Sequence, residues 1–202
     1  KLHIEDLRKL SFPRARNLLR YTLAQQGAIL PSTIKLEEIL RQLLSSGPDS
    51  KLRVIFGNAE VRCFKGAVHM RNRDVARLED LPAVDWQVLW HGEKQLLIAE
   101  LGGTLIFTQD SGMGINLQKL SEYPVTIRPR HGGERLRPDR KRPRRSLKNL
   151  LREASLPPWE REMLPLIFSG EDLVCVPRIG VDCDFQAAAG ERSLIIKWQT
   201  NK

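Results

Sequence analysis

One short stretch of this sequence carries side chains that could bind a polyanion. Residues 128–152 contain eleven Lys and Arg against two carboxylates, a net charge of +9 that equals the net charge of the whole chain. Nine of the eleven cations are Arg, whose planar guanidinium groups match the oxygens of phosphate. The stretch, named here the basic strip, therefore predicts contact with a polyanionic partner. Its cations are Arg128, Arg130, Arg135, Arg137, Arg140, Lys141, Arg142, Arg144, Arg145, Lys148 and Arg152.

A solvated linker whose charge only maintains solubility is the competing interpretation of the basic strip. The Gly132-Gly133 turn favours binding, because a backbone without Cβ atoms can approach a phosphate closely. A strand predicted before the strip and a helix predicted at its end would hold it in place. Contacts with six or more phosphates would lower affinity by roughly a thousandfold between about 50 and 200 mM salt, whereas a linker would show no such dependence.

Other chemistry has weak support in the sequence. The patterns G-x-x-x-x-G-K-[ST] and G-x-S-x-G are absent, and the Gly-rich turn at 110–114 lacks a Lys. No pair of histidines or cysteines has the spacing of a metal site. We therefore predict no catalytic residue and no metal site, and the odd number of cysteines favours a reducing cytoplasm. The residues concerned are His3, His69, His91, His131, Cys63, Cys175 and Cys183.

Two further sets of residues have competing interpretations. After Pro157-Pro158, Trp159 and Arg161 could contact a base and a phosphate. A helix start with Trp159 in the core is favoured instead, because a large aromatic side chain buries much apolar area. Arg16 and Arg20 lie four residues apart on a predicted helix, where they form either a binding surface or an ordinary solvated face.

The N-terminal part of the chain predicts two helices and a hairpin. Ser11-Phe12-Pro13 predicts the start of a helix that runs to about Gln26, with Gly27 past its end. A second helix is predicted to start after Pro31-Ser32 and to end near Ser46-Gly47. Gly57-Asn58 then joins LRVIF to AEVRCF as a tight hairpin. The apolar residues at helical spacing are Ala15, Leu19, Leu23, Leu36, Ile39, Leu40, Leu43 and Leu44.

Short strands and one helix are predicted for the rest. Alternation at residues 86–90 predicts a strand, and QLLIAEL, TLIFT and VTIRPR predict further strands. Residues 135–145 have too few apolar side chains to be buried, which predicts an exposed loop. Ser146 predicts a helix start, with Lys148 and Arg152 on the outer face. Its inward side chains are predicted to be Leu147, Leu150 and Leu151.

The predicted fold class is α+β, with two small domains joined by a strand-rich segment. We predict a helical domain with a β-hairpin over 1–72, a connecting segment over 73–122 and a mixed C-terminal domain over 123–202. No apolar run reaches the roughly 18 residues that span a bilayer, so we predict no transmembrane segment. The start at Lys1, without a signal-peptide pattern, predicts that the chain begins inside a longer protein or has been trimmed.

Two blocks of the sequence resemble a known family. RPRHGGERL and SLKNLLREASLPPWEREMLPLIFSGEDLVCVPRIGV resemble the C-terminal domain of bacterial tRNA(Ile)-lysidine synthetases. PRARNLLRYTLAQQGAILPSTIKLEEI is similar to the tRNA-binding middle domain of that family, and LRVIFGNAEVRCFKGAVHM is similar to the hairpin after it. The resemblance spans most of the chain and is weakest over residues 73–122.

The resemblance implies a function for the full enzyme. Members of this family use ATP with Mg to adenylate the wobble cytidine of the isoleucine tRNA that reads AUA, and lysine then displaces AMP to leave lysidine. Their chemistry belongs to an N-terminal ATP-pyrophosphatase domain with an S-G-G-x-D-S loop, which this sequence lacks. The resemblance thus implies that this chain binds no cofactor, is not catalytic alone, and docks the tRNA body and acceptor stem in the cytoplasm.

The predicted partner is isoleucine tRNA, without DNA or membrane, and homodimer formation stays open. The alternative is a basic module that contacts acidic protein or membrane surfaces, with incidental RNA binding. A stand-alone hydrolase is disfavoured by the missing nucleophile and base.

The segment RPDRKRPRR is longer and more charged than the family pattern, which leaves its role open. The predicted RNA-binding residues are Arg16, Asn17, Arg20, Arg128, Arg130, His131, Gly132, Gly133, Arg135, Arg144, Arg145, Lys148, Arg152 and Arg161.

Overall fold

The computed structural model describes residues 2–47, 50, 52–72 and 85–200. The chain divides into two compact units, Lys1–Arg77 and Leu78–Lys202. Both units combine short helices with antiparallel sheets, which confirms the predicted α+β class. None of the helices in the described residues is long and apolar enough to cross a bilayer.

The first unit packs helices on one antiparallel sheet with the strand order β1-β4-β3-β2. The two predicted helices and the predicted hairpin are confirmed. The second helix begins after Ser32, whose side chain accepts a hydrogen bond from the Lys35 backbone N–H at 3.3 Å. The elements are β1 Leu2–His3, α1 Ile4–Arg8, α2 Phe12–Gln25, α3 Thr33–Ser45, β2 Arg53–Phe56, β3 Ala59–Phe64 and β4 Ala67–Asn72.

A single apolar cluster holds this unit together. The helical spacing of the apolar residues places them on one stripe of each helix, and that stripe packs against Val54, Val61 and Val68 of the sheet. Leu44 is only half-buried and lies at the edge of the cluster. The fully buried members from α2 and α3 are Ala15, Leu19, Leu23, Ile39, Leu40 and Leu43.

The second unit contains three sheets and three short helices in its described residues. Its strands are β5 Val88–Trp90, β6 Gln95–Ile98, β7 Gly103–Ser111, β8 Ile115–Asn116, β9 Val125–Arg128, β10 Arg135–Leu136, β11 Arg145–Ser146, β12 Leu166–Ser169, β13 Asp172–Val176, β14 Gly180–Val181 and β15 Arg192–Thr200. Its helices are α4 Leu117–Leu120, α5 Leu147–Glu153 and α6 Pro158–Glu162, and a 3-10 turn spans Ala99–Leu101.

These elements form layers. The five-stranded sheet has the order β14-β13-β12-β9-β5 and the four-stranded sheet the order β6-β7-β15-β8. One apolar cluster joins the two sheets and includes Leu105 and Leu194 from the four-stranded sheet and Ile127 and Ile167 from the five-stranded sheet. A second cluster packs α5 against the five-stranded sheet. The five-stranded sheet thus lies between the other sheet and α5, and β9 delivers the basic strip to the helix side.

Strand pairing links the middle of the chain to its C-terminal part. β5 pairs with β9, and β7 pairs with β15 along its length, from Gly103 opposite Thr200 to Ser111 opposite Arg192. The predicted connecting segment covered 73–122; its residues 73–84 lie outside the described residues, and residues 85–122 contribute strands to both large sheets of the second unit.

Two local predictions differ from the structure. Residues 135–145, predicted as an exposed loop, begin and end in a short ladder in which Leu136 pairs with Arg145. Leu136 is fully buried, because this one apolar side chain joins the core beneath α5. The core position favoured for Trp159 is wrong: Trp159 is half-buried and α6 contains no buried residue, since the flanking Leu156 and Leu164 fill the core instead.

Candidate RNA interface

The basic strip begins in β9, whose last residue, Arg128, bends its guanidinium back onto the protein. Its Nη2 donates to the Gly170 carbonyl at 3.0 Å, and its Nε donates to Thr126 Oγ1 at 3.0 Å. The guanidinium carbon lies 4.8 Å from the centroid of the Phe168 ring, and Glu171 Oε1 lies 3.3 Å from Nη2. Arg128 therefore joins β9 to the end of β12, and most of its donors are used within the protein.

A tight turn follows, and a carboxylate of the strip itself occupies it. The backbone N–H groups of His131 and Gly132 both donate to Glu134 Oε1, at 2.6 and 2.7 Å. Gly132 and Gly133 have φ angles of +96° and +87°, which favour glycine, and added Cβ atoms would meet nothing within 4 Å. The turn thus has the backbone geometry of an anion site, with the Glu134 carboxylate in the place of an external anion. The exposed His131 ring lies 3.3 Å from Asp85 Oδ1.

We name three guanidinium groups the Arg cluster, because the charges of the first two act on the third: Arg130 after β9, Arg152 on α5 and Arg161 on α6. Arg161 Nε donates to the Leu156 carbonyl at 2.7 Å, which holds its side chain in place. Burial lowers the pKa of the Arg161 guanidinium, and the charges of Arg152 and Arg130 lower that pKa further. Like charges brought together in this way repel one another, so a bound anion would stabilise the cluster.

Carboxylates compensate the Arg cluster only in part. Arg130 Nε lies 3.6 Å from Glu134 Oε2, while Arg152 and Arg161 have no carboxylate oxygen within 4 Å among the described residues. Lys148 lies four residues before Arg152 on α5, and both side chains are exposed, as predicted for the outer face. This side of α5 and the turn therefore presents cations that an external anion could reach.

Other guanidinium groups of the strip fold onto two carboxylates that lie far along the chain. Arg137 Nη2 donates to Asp184 Oδ1 at 2.8 Å, and Arg144 Nη2 donates to Asp184 Oδ2 at 3.0 Å. Asp182 is fully buried and accepts from Arg144 at 3.3 Å and from the Arg137 backbone N–H at 2.9 Å. Burial would raise the pKa of Asp184, but the hydrogen bond from Arg137 and the charge of Arg144 outweigh it and lower that pKa.

Two more of the predicted RNA-binding residues have partners inside the protein. Arg135 Nη2 donates to the Arg144 carbonyl at 2.8 Å across the base of the loop. Arg145 binds both carboxylate oxygens of Glu153, with Nη1 at 2.8 Å from Oε2. The hydrogen bond from Arg145 lowers the pKa of Glu153. Arg145 therefore ties β11 to the last turn of α5.

In the first unit, the predicted residues of α2 differ in their surroundings. Arg16 Nη1 donates to Glu37 Oε1 of α3 at 2.6 Å, and both side chains are half-buried. Asn17 and Arg20 are exposed, and the neighbouring Tyr21 is 62% exposed. Tyr21 was not predicted as a site residue, although its position on the face opposite the apolar stripe was a signal for exposure. Arg16 thus joins the helix pair, while Asn17, Arg20 and Tyr21 form an open polar and aromatic face.

One group of possible metal ligands occurs among the described residues. Atoms of Asp182, Cys183 and Asp184 that could bind a metal lie within 4.8 Å of one another. Both carboxylates already accept hydrogen bonds from guanidinium groups, Asp184 from Arg137 and Asp182 from Arg144. The group is therefore part of a salt-bridge network. Burial raises the pKa of the Cys175 thiol to about 12, which keeps that thiol protonated and unreactive.

Two family models match the chain, one in each unit. Residues 2–69 match the TilS substrate binding domain, and residues 125–198 match the TilS substrate C-terminal domain. A solved structure, the crystal structure of a TilS C-terminal domain, overlaps 58% of this chain and 99% of its own, with a TM-score of 0.45 and 18% identity.

Curated relatives are similar along nearly the whole chain. The tRNA(Ile)-lysidine synthase of Nitrosomonas europaea is 48% identical over 202 residues, which are 100% of this chain and 43% of that protein. The tRNA(Ile)-lysidine synthase of Aromatoleum aromaticum is 33% identical over 197 residues, which are 96% of this chain and 44% of that protein. The chain therefore spans less than half the length of these relatives. Since both matching models are domains of the same family and these relatives align with almost every residue, the chain belongs to the tRNA(Ile)-lysidine synthase family, with its substrate-binding and C-terminal domains represented.

Proposed function

We propose that this chain is the tRNA-docking part of a tRNA(Ile)-lysidine synthase. It holds the body and acceptor stem of isoleucine tRNA, so that the wobble cytidine reaches a catalytic domain outside this chain. That domain uses ATP with Mg and lysine to convert the cytidine to lysidine. On this proposal the chain does no chemistry of its own and contributes binding and orientation.

The Arg cluster is the observation that carries the proposal. Double-helical RNA offers a protein chiefly its shape, its phosphates and its 2′-hydroxyl groups, and guanidinium groups bind phosphates well. Burial and the charges of Arg152 and Arg130 lower the pKa of Arg161, and Arg152 and Arg161 have no carboxylate within 4 Å among the described residues. Such an arrangement costs free energy in the isolated protein, and phosphates would offset that cost.

The proposal divides the predicted RNA-binding residues into two groups. Those with exposed or incompletely paired groups are assigned to RNA contact: Asn17, Arg20, Arg130, His131, Gly132, Gly133, Lys148, Arg152 and Arg161. Those with internal partners are assigned to support of the binding surface: Arg16, Arg128, Arg135, Arg144 and Arg145. Tyr21 joins the first group, because an exposed aromatic ring beside Arg20 can stack on an unpaired base.

A matched pair of double variants tests this assignment. Lys148→Ala/Arg152→Ala removes two exposed cations of α5, and Lys94→Ala/Lys197→Ala removes two exposed cations from the side of the four-stranded sheet. The affinity for isoleucine tRNA is measured by filter binding over a range of salt concentrations. We expect the first variant to bind about tenfold more weakly and to lose about two units of salt slope. The second variant should bind within about twofold of the unaltered chain.

Two results would overturn the proposal. Equal effects of the two double variants would mean that only total charge matters. Equal competition by isoleucine tRNA, heparin and unrelated duplex RNA would favour the alternative, a basic module for acidic surfaces.

A further inference from the structure

The loop of the basic strip, α4 and residues 183–184 line an open surface cavity, and no residue of the Arg cluster lines it. Its volume is about 530 Å³, and its lining residues are Lys119, Arg137, Arg140, Cys183 and Asp184. Cavities that bind small ligands or parts of larger ones commonly lie between about 300 and 1,000 Å³. Lys119 comes from outside the basic strip, so the sequence pattern of the strip alone could not indicate this group of residues.

The charges that line this cavity are not balanced. Arg137 pairs with Asp184 at 2.8 Å. Arg140 Nη2 lies 3.4 Å from the Cys183 carbonyl, and Lys119 Nζ lies 2.5 Å from the Asp184 carbonyl. A carbonyl oxygen accepts a hydrogen bond without cancelling a full charge, and neither cation has a carboxylate within 4 Å among the described residues. Three cations therefore face one carboxylate.

The walls of the cavity are held in place by hydrogen bonds from residues 183 and 186. The Cys183 backbone N–H donates to the Arg137 carbonyl at 2.8 Å. Gln186 Nε2 donates to the carbonyls of Pro138 at 2.8 Å and Val181 at 3.0 Å. These bonds fix the backbone at the beginning of the loop against the 181–186 segment. Ligand binding therefore costs little loop freedom.

We propose that this cavity binds one phosphate group, with Arg140 and Lys119 as its main donors and Arg137 at its edge. A phosphate has several oxygens and a negative charge, which match convergent guanidinium and ammonium donors. The volume exceeds that of one phosphate and leaves room for an adjoining sugar. The assignment of the phosphate to the backbone of the bound tRNA rests on the proposed function, whereas the site itself does not.

Phosphate binding is tested on the whole 202-residue chain with a double variant and a matched control. Lys119→Gln/Arg140→Gln removes the two charges, and Lys141→Gln removes the exposed neighbour that does not line the cavity. Titration calorimetry with inorganic phosphate should show saturable binding that the double variant weakens by about tenfold or more, and that the control changes by less than about twofold. Thermal melting verifies that each variant is folded. If the double variant is not folded, Arg140→Gln alone is used for the test, because the 3.4 Å contact between Arg140 and the Cys183 carbonyl contributes little to folding.

The tRNA affinity of the same variants identifies the source of the phosphate. Weaker binding of both inorganic phosphate and isoleucine tRNA by the double variant supports an RNA phosphate in the cavity. Weaker phosphate binding with unchanged tRNA binding overturns the RNA source and leaves a site for free phosphate. No saturable phosphate binding by the unaltered chain, or equal binding by the double variant, overturns the site. In that case the α5 variants can still support tRNA docking, so the two proposals fail separately.

Discussion

The Arg cluster and the loop at 137–144 carry charge of the same sign but have opposite surroundings. Both are rich in Arg, yet Arg152 and Arg161 lie among like charges, whereas Arg137 and Arg144 bind the carboxylates of residues 182–184. The partner carboxylates lie about 40 residues further along the chain. The density of charge in a sequence therefore does not equal the charge available to a ligand.

The two regions also differ in what their charges contribute to folding. An exposed ion pair usually stabilises a protein by less than about 1 kcal/mol, so Arg137 and Asp184 alone would contribute little. Asp182 is different because it is fully buried, and its carboxylate needs every hydrogen bond that the loop supplies. Hydrogen bonds to the buried carboxylate of Asp182 therefore stabilise the loop. The Arg cluster has no comparable set of carboxylate partners, and we propose that it serves tRNA binding.

The largest expected effect follows from removal of the buried carboxylate. Asp182→Ala leaves the backbone N–H groups of Arg137 and Asp184 without their acceptor and removes one of the two carboxylates that bind Arg144. We expect the free energy of unfolding to fall by about 3 kcal/mol. Asp139→Ala is the control, because Asp139 is exposed and lies 3.6 Å from Arg142; it should cost less than about 0.5 kcal/mol. Urea denaturation measures both. Similar losses in the two variants would contradict the contrast between a buried network and a surface pair.

A smaller effect is expected at the turn beside the Arg cluster. Glu134→Gln keeps an oxygen that can accept from the His131 and Gly132 N–H groups but removes the negative charge near Arg130. We expect the affinity for isoleucine tRNA at low salt to rise about threefold, because a repulsive charge leaves the interface. Glu171→Gln, which removes an exposed carboxylate near Arg128, controls for overall charge. A lower affinity, or an equal rise in both variants, would show that the turn does not face the RNA.

The smallest expected effect concerns pH and Asp184. The hydrogen bond and charge of Arg137 hold the pKa of Asp184 below its ordinary value of 3.8, despite the opposing effect of burial. The ordinary value applies to the unfolded chain. Between the lowered pKa of the folded protein and this value, the unfolded chain binds more protons than the folded protein. The stabilisation is therefore complete above pH 3.8 and is lost as the pH falls through the folded pKa.

Thermal melting over a range of acidic pH tests whether stability falls as the pH decreases. Asp184→Asn should lower stability slightly at neutral pH and flatten its decline below the ordinary pKa of 3.8. The effect is small, since the Asp184 side chain is 54% exposed and solvent screens the pair. Asp110→Asn, on the exposed part of β7, is the matched control for the loss of a surface carboxylate. An equal slope for Asp184→Asn and the unaltered chain would contradict the prediction.

Much of the fold could be predicted because the signals are local. The apolar stripes of α2 and α3, the cap at Ser32 and the Gly57-Asn58 turn each depend on residues within a few positions of one another. The ladder between β7 and β15 could not be predicted in the same way. Its strands are separated by most of the second unit, and alternation of side chains says nothing about which distant strand is the partner.

For the candidate site, the residues alone indicate the sign and place of the charge, the excess of Arg over Lys and the resemblance to a tRNA-modifying family. Which cations have partners depends on the fold: Arg16 pairs with Glu37 and Arg144 with Asp182, whereas Arg152 has no carboxylate within 4 Å among the described residues. Helix and turn preferences act between neighbours in the chain. Ion pairing acts through distance in space, and that distance is set by the packing of strands and helices far apart in sequence.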